Sequence, residues 1–158
     1  MDGIGKPLLF LSFAATTVFA GGMLLEVGNV TGNPEALAKH AVMLARVSAC
    51  HSPEKSTVTA SAEGIVDGIR RTIPLNVMPL STAGSFAIAR EWPENGTWVV
   101  RMTATNPDYK GYATGILVPS THNVLQLAAT KHYFHAVTEA EILAVLRGAR
   151  TETRAGID

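Results

Sequence analysis

The run Ser85-Phe-Ala-Ile-Ala-Arg-Glu-Trp92, the tetrapeptide Pro93-Glu-Asn-Gly96 and the run Thr97-Trp-Val-Val-Arg-Met-Thr-Ala-Thr105 follow one another directly, and their reading decides the fold. In the first run Phe86 and Ile88 alternate with small residues, and Arg90 continues the series. In the last run Trp98, Val100, Met102 and Ala104 point one way. A period of two is the signature of a strand with one buried face, because successive side chains leave a pleated backbone on opposite sides. Pro-Glu-Asn-Gly between them is a turn, with Asn-Gly able to take positive φ.

The same rhythm extends in both directions. Ala41-Val-Met-Leu-Ala-Arg-Val-Ser-Ala49 reads as a first strand and His51-Ser-Pro-Glu-Lys55 as a turn. In Ser56–Glu63, Val58, Ala60 and Ala62 form the buried face, against Thr57, Thr59, Ser61 and Glu63 on the wet one. Gly64 to Gly68 turns the chain. Arg70–Met78 alternates at Ile73, Leu75 and Val77, and Pro74 within it, lacking an N–H, places that strand at a sheet edge or a bulge. Tyr112–Pro119 is the sixth run. Six strand-like runs separated by turn residues predict a mainly β fold, an immunoglobulin-like antiparallel sandwich over 41–120, and not a βαβ architecture.

Residues 121–150 form a C-terminal extension. Thr138-Glu-Ala-Glu-Ile-Leu-Ala-Val-Leu-Arg147 predicts a helix, with Thr138 and Glu141 at capping-box spacing and Gly148 as the stop. Asn123–His135 fits either a final strand or a helix, and 151–158 reads as a frayed tail.

Hydrophobic residues make up 47% of the 158, and charged residues, at 16%, fall well below the ~25% usual for soluble domains. Part of the apolar excess sits at the start. Pro7 to Ala20 is uncharged, Val18 and Ala20 occupy the small positions a signal peptidase needs, and Gly21-Gly22 follow. Residues 1–20 therefore read as a secretory signal. The alternative is an uncleaved membrane anchor over Pro7–Leu25, near the ~20 residues that span a bilayer. Residues 21–40 read as a linker, with a mobile glycine-rich lead-in to Pro34 and a short helical segment after Asn33-Pro34-Glu35. Beyond residue 20 the chain keeps 12 basic and 12 acidic residues. This neutrality lacks the electrostatic footprint of a nucleic-acid binder.

The residues able to carry chemistry are His40, Cys50, His51, His132 and His135. Thiolate and imidazole suit copper or zinc, and His132 and His135 would share a face if helical. No Cys-x-x-Cys or His-Glu-x-x-His spacing is present, and a half-buried cysteine with turn or surface histidines is the competing reading. A thiol–imidazole nucleophile from Cys50 and His51 is a further alternative, although neighbours on a strand aim to opposite faces. No Gly-x-Ser-x-Gly, phosphate loop or dinucleotide fingerprint occurs. Trp92 and Trp98, flanking their turn, read either as core plugs or as a sugar-binding shelf.

Glu63-Gly-Ile-Val-Asp-Gly68, Pro79-Leu-Ser-Thr-Ala-Gly-Ser-Phe86 and Trp92-Pro-Glu-Asn-Gly-Thr-Trp98, within the run Val58 to Val118, have a cadence that resembles small bacterial exported immunoglobulin-like sandwiches. Among these are the FixH/YtkA-like and copper-carrier-like groups, where a Gly-x-Phe/Tyr strand and a Pro-x-x-Gly-x-Trp turn are frequent. In copper carriers of that sort a histidine at the mature amino terminus is a ligand; here that position is Gly21, and there is no Met-rich stretch. The expectation is an exported, non-catalytic domain, periplasmic or secreted, that binds a protein or small ligand at the cell envelope. It touches a membrane only if its leader is retained. The alternative is a periplasmic copper or zinc binder.

Overall fold

A computed structural model describes residues 22–49, 51–121 and 123–155 of the chain, with side chains as far as Thr151. Ten strands, β1 (Leu24–Gly28), β2 (Ala41–Ser48), β3 (Thr57–Val66), β4 (Ile69–Pro74), β5 (Val77–Pro79), β6 (Ser85–Ala89), β7 (Thr97–Thr105), β8 (Ala113–Thr121), β9 (Val124–Leu125) and β10 (Lys131–Tyr133), are joined by helices α1 (Pro34–Ala38) and α2 (Glu139–Ala155). The expected signal or anchor (1–20) and Cys50 lie outside the described residues.

The strands form two antiparallel sheets, ordered β1-β2-β6-β5 and β10-β8-β7-β3-β4, with the short β9 paired to the end of β8. The smaller sheet follows the order A-B-E-D of an immunoglobulin domain. In the larger one, β8-β7-β3 follows G-F-C and β4 extends it as C′. The expected immunoglobulin-like sandwich with a C-terminal helix is therefore the observed fold. β10 is an added edge strand outside G.

The inner faces meet in one core. Leu25, Met43, Val47 and Ile88 of the smaller sheet pack with Trp98, Val100, Met102, Ile116 and Val118 of the larger. Each such side chain contributes about 1.5–3 kcal/mol by leaving water. Trp98 and Trp92 are both buried, so they plug the core and form no surface shelf. The Trp98 ring lies so close over Gly64 that a Cβ there would overlap it.

Several sequence expectations change in detail. The turn at Pro93–Gly96 does not pair β6 with β7, because Arg90–Gly96 carries the chain from one sheet to the other. The run Arg70–Met78 divides in the same way: β4 ends at Pro74 on the sheet edge, buried Leu75 crosses the sandwich, and β5 begins at Val77 in the opposite sheet. Gly64 to Val66 belong to β3, and the turn contracts to Asp67-Gly68, both at positive φ as a two-residue hairpin requires. The lead-in to Pro34 holds β1, whose fully buried Leu25 gives it a core face. Leu24 and Leu25, the end of the proposed membrane stretch, thus belong to a sheet. α1 is capped by the Asn33 side chain, which accepts from the Ala36 N–H at 2.9 Å. α2 does not stop at Gly148 but continues to Ala155, through part of the expected tail. Among the described residues no helix is long and apolar enough to cross a membrane.

Candidate functional site

An immunoglobulin sandwich leaves the outer faces of its sheets to solvent. Here the C-terminal extension covers part of one. Val99 and Leu117 project outward from β7 and β8 and are buried by Val137, Ile142 and Leu146. The capping box begins α2: Thr138 Oγ1 accepts from the Glu141 N–H, and Glu141 Oε2 accepts from the Thr138 N–H at 2.8 Å. The approach to the helix is tight, since a Cβ on Gly115 would stand 2.6 Å from Val137 Cγ2.

Beside this contact lies a buried carboxylate. Glu63, expected on a wet face, is only 2% exposed. It accepts from Ser61 Oγ at 2.6 Å and from Thr72 Oγ1 at 2.7 Å, and pairs with Arg70 at 3.0 Å and Arg101 at 3.5 Å. Arg70 also reaches Glu139 of α2 at 3.2 Å, so the network ties the helix to the sheet. Burial alone pushes the Glu63 carboxyl up. The two hydroxyls and the charges of Arg101 and Arg70 outweigh it, holding the group below its ordinary value.

At the other border of α2, against β10 and the end of β8, a groove of about 420 Å³ opens. Ala144, Val145 and Gly148 line its helical side; Gln126, Lys131 and Tyr133 line the other. Tyr133 meets the His135 ring edge-on at 5.6 Å, and His135 Nε2 is 2.9 Å from Glu141 Oε1. Burial raises the Tyr133 hydroxyl above its usual value, and the Glu141 charge adds to this. The Thr138 backbone N–H, with its hydroxyl and His135, holds the Glu141 carboxyl low despite partial desolvation. Phe134, 73% exposed, stands next in the chain.

A second surface is built by the loops before β3 and after β7. Lys55 bridges to Asp108 at 3.0 Å, Asn106 Nδ2 donates to the Ser52 carbonyl at 2.9 Å, and the His51 N–H donates to the Tyr109 hydroxyl at 3.1 Å. In immunoglobulin terms these are the B–C and F–G loops, which share one end of the sandwich. Tyr112 stands exposed there.

Of the sequence candidates, the four histidines lie within the described residues. His40 follows α1 and His51 follows β2, so the eight residues of β2 hold them roughly 25 Å or more apart. His132 is exposed on β10, and its side chain leaves the strand opposite to Lys131 and Tyr133. His132 and His135 are on strand and loop, so the shared helical face does not form. Among the described residues no three His, Cys, Asp or Glu side chains gather as a metal group would require. Sequence reasoning missed Glu63, Arg70 and Arg101, and also Gln126, Lys131 and Tyr133. One signal was present: Trp98-Val-Val100 and Ile116-Leu-Val118 are apolar on both faces, which a sheet with one open face does not need.

Comparison with known protein families, with characterised proteins and with solved structures finds no match to this chain.

Proposed function

We propose that the protein is an exported, non-catalytic immunoglobulin-like domain that acts by binding, in recognition or assembly at the cell envelope. The observation that carries this reading is the added layer of β10 and α2. It makes a concave groove on a sheet face, with an exposed Phe134 beside it. Grooves with apolar walls and a few polar groups are the usual form of a ligand site. The joined loops with Tyr112 add a second surface of the kind that sandwich domains present. Export rests on the uncharged run from Pro7 to the small residues Val18 and Ala20.

The test is expression of the full chain in a Gram-negative host, with a photo-crosslinking amino acid at Phe134 or at Tyr112. Support is an envelope-fraction protein whose amino terminus is Gly21 and a discrete adduct from at least one position. Retention in the cytoplasm with residues 1–20 attached overturns the export reading. Saturable turnover of a substrate by the pure protein, abolished by one substitution, overturns the non-catalytic one.

A further inference from the structure

Two features of the groove beside α2 suit a ligand. The first is a set of polar groups without partners. Lys131 and Tyr133 are two apart on β10 and so leave the same face of the sheet. Neither the Lys131 ammonium, nor the Tyr133 hydroxyl, nor the Gln126 side-chain amide makes a hydrogen bond or ion pair with the described residues.

The second feature is Gly148. It stands inside a 17-residue helix, where glycine is about 1 kcal/mol worse than alanine. Its backbone is helical, and no atom lies within 4 Å of where its Cβ would be. Internal packing therefore gives no reason for a glycine at this point. Gly148 is exposed on the wall of the groove, so a larger side chain there would project into open space beside it.

We infer that the groove binds a small amphipathic carboxylate, an aliphatic acid of medium chain length. This rests on the reading of the protein as a binding domain. The register fixes the ligand's direction. Tyr133 lies opposite Gly115, Lys131 opposite Leu117, and the Gln126 N–H reaches the Pro119 carbonyl. The three residues thus stand in a row along β8, over roughly 13 Å at ~3.3 Å per residue. Glu141, paired with His135 beside the Tyr133 ring, puts negative charge at the first end. An anionic head is therefore directed to Lys131 and Gln126. The apolar chain lies over Val145, Gly148 and the Tyr133 ring. A groove of about 420 Å³ falls within the ~300–1,000 Å³ of small-molecule sites.

The probe is decanoate, titrated into the full-length chain by calorimetry, with decanol and decylammonium as comparisons. Decanoate is expected to saturate at one per chain and to bind about tenfold tighter than decylammonium. Lys131→Gln, at an exposed position, weakens decanoate about tenfold and leaves decanol unchanged. Gly148→Leu removes binding of both, with thermal unfolding still cooperative. Equal binding of decanoate by the wild type and Lys131→Gln overturns the anionic head. Absence of saturable decanoate binding at millimolar concentration overturns the ligand class. If the envelope adduct from Phe134 or Tyr112 still forms in that case, the binding-domain reading stands without it; if neither is seen, both fall.

Discussion

Replacing Glu63 by glutamine tests whether the buried carboxylate is what secures α2 to the sheet. The substitution keeps the shape and removes the charge. Two hydroxyl donors, at 2.6 and 2.7 Å, would then meet a neutral amide. Hydrogen bonds to a charged group contribute about 1.5–3 kcal/mol against about 1 kcal/mol for neutral ones, so for the two bonds this part of the loss is about 1–4 kcal/mol. Arg101 loses its charged partner and Arg70 keeps only Glu139, but their side chains are 38% and 30% exposed and recover hydration, which limits that loss to about 1 kcal/mol. The Arg70 Nε is already buried without a partner, so relaxation there is restricted.

The expected total for Glu63→Gln is about 2–5 kcal/mol, or roughly 4–20 °C in Tm for a domain of this size. Urea unfolding followed by the fluorescence of buried Trp92 and Trp98 measures it. The folded Glu63 carboxyl is held below its ordinary value. Its contribution is therefore complete above the ordinary glutamate value and is lost as the pH falls through the folded one. The gap between wild type and variant must narrow on acidification. A variant within about 0.5 kcal/mol of wild type near neutral pH, or a gap that does not change with pH, refutes the reasoning.

Three further outcomes follow from the packing. Gly64→Ala drives a methyl into the Trp98 ring and is expected to cost about 1–3 kcal/mol, with a shift of tryptophan emission in the folded state; an unshifted spectrum at unchanged stability contradicts the close approach. Thr138→Ala removes the cap of α2 and should lower stability by about 1 kcal/mol, with faster amide exchange in the first helical turn. Gly148→Ala should raise stability by about 1 kcal/mol, since the helix gains a better former and nothing crowds its Cβ; a loss in thermal unfolding would show that the position is packed.

The amino-acid sequence by itself determined the sandwich. Period-two runs at Thr57–Ala62, Phe86–Ile88 and Trp98–Ala104 can bury apolar residues only as half-covered strands, and the Thr138–Glu141 box opens a helix wherever that segment lies. Those are local properties, carried by neighbours in the chain. Sheet membership was not local. Pro93–Gly96 reads as a turn in either case, but whether it closes a hairpin or crosses the sandwich depends on which strands finally pair. The candidate site belongs to the same class. Glu63 alternates as a wet residue until α2 packs over the outer face, and the Arg70 and Arg101 that then meet it come from other strands. His40 and His51 look close in sequence and are held apart by the length of β2. Gln126, Lys131 and Tyr133 become a row only through their register on β8, and Gly148 becomes part of the groove wall only because the helix does not end there. Periodicity records which face each strand turns to the core, while burial of charge and the shape of a groove depend on what other segments bring to that face. Only the tertiary structure decided those.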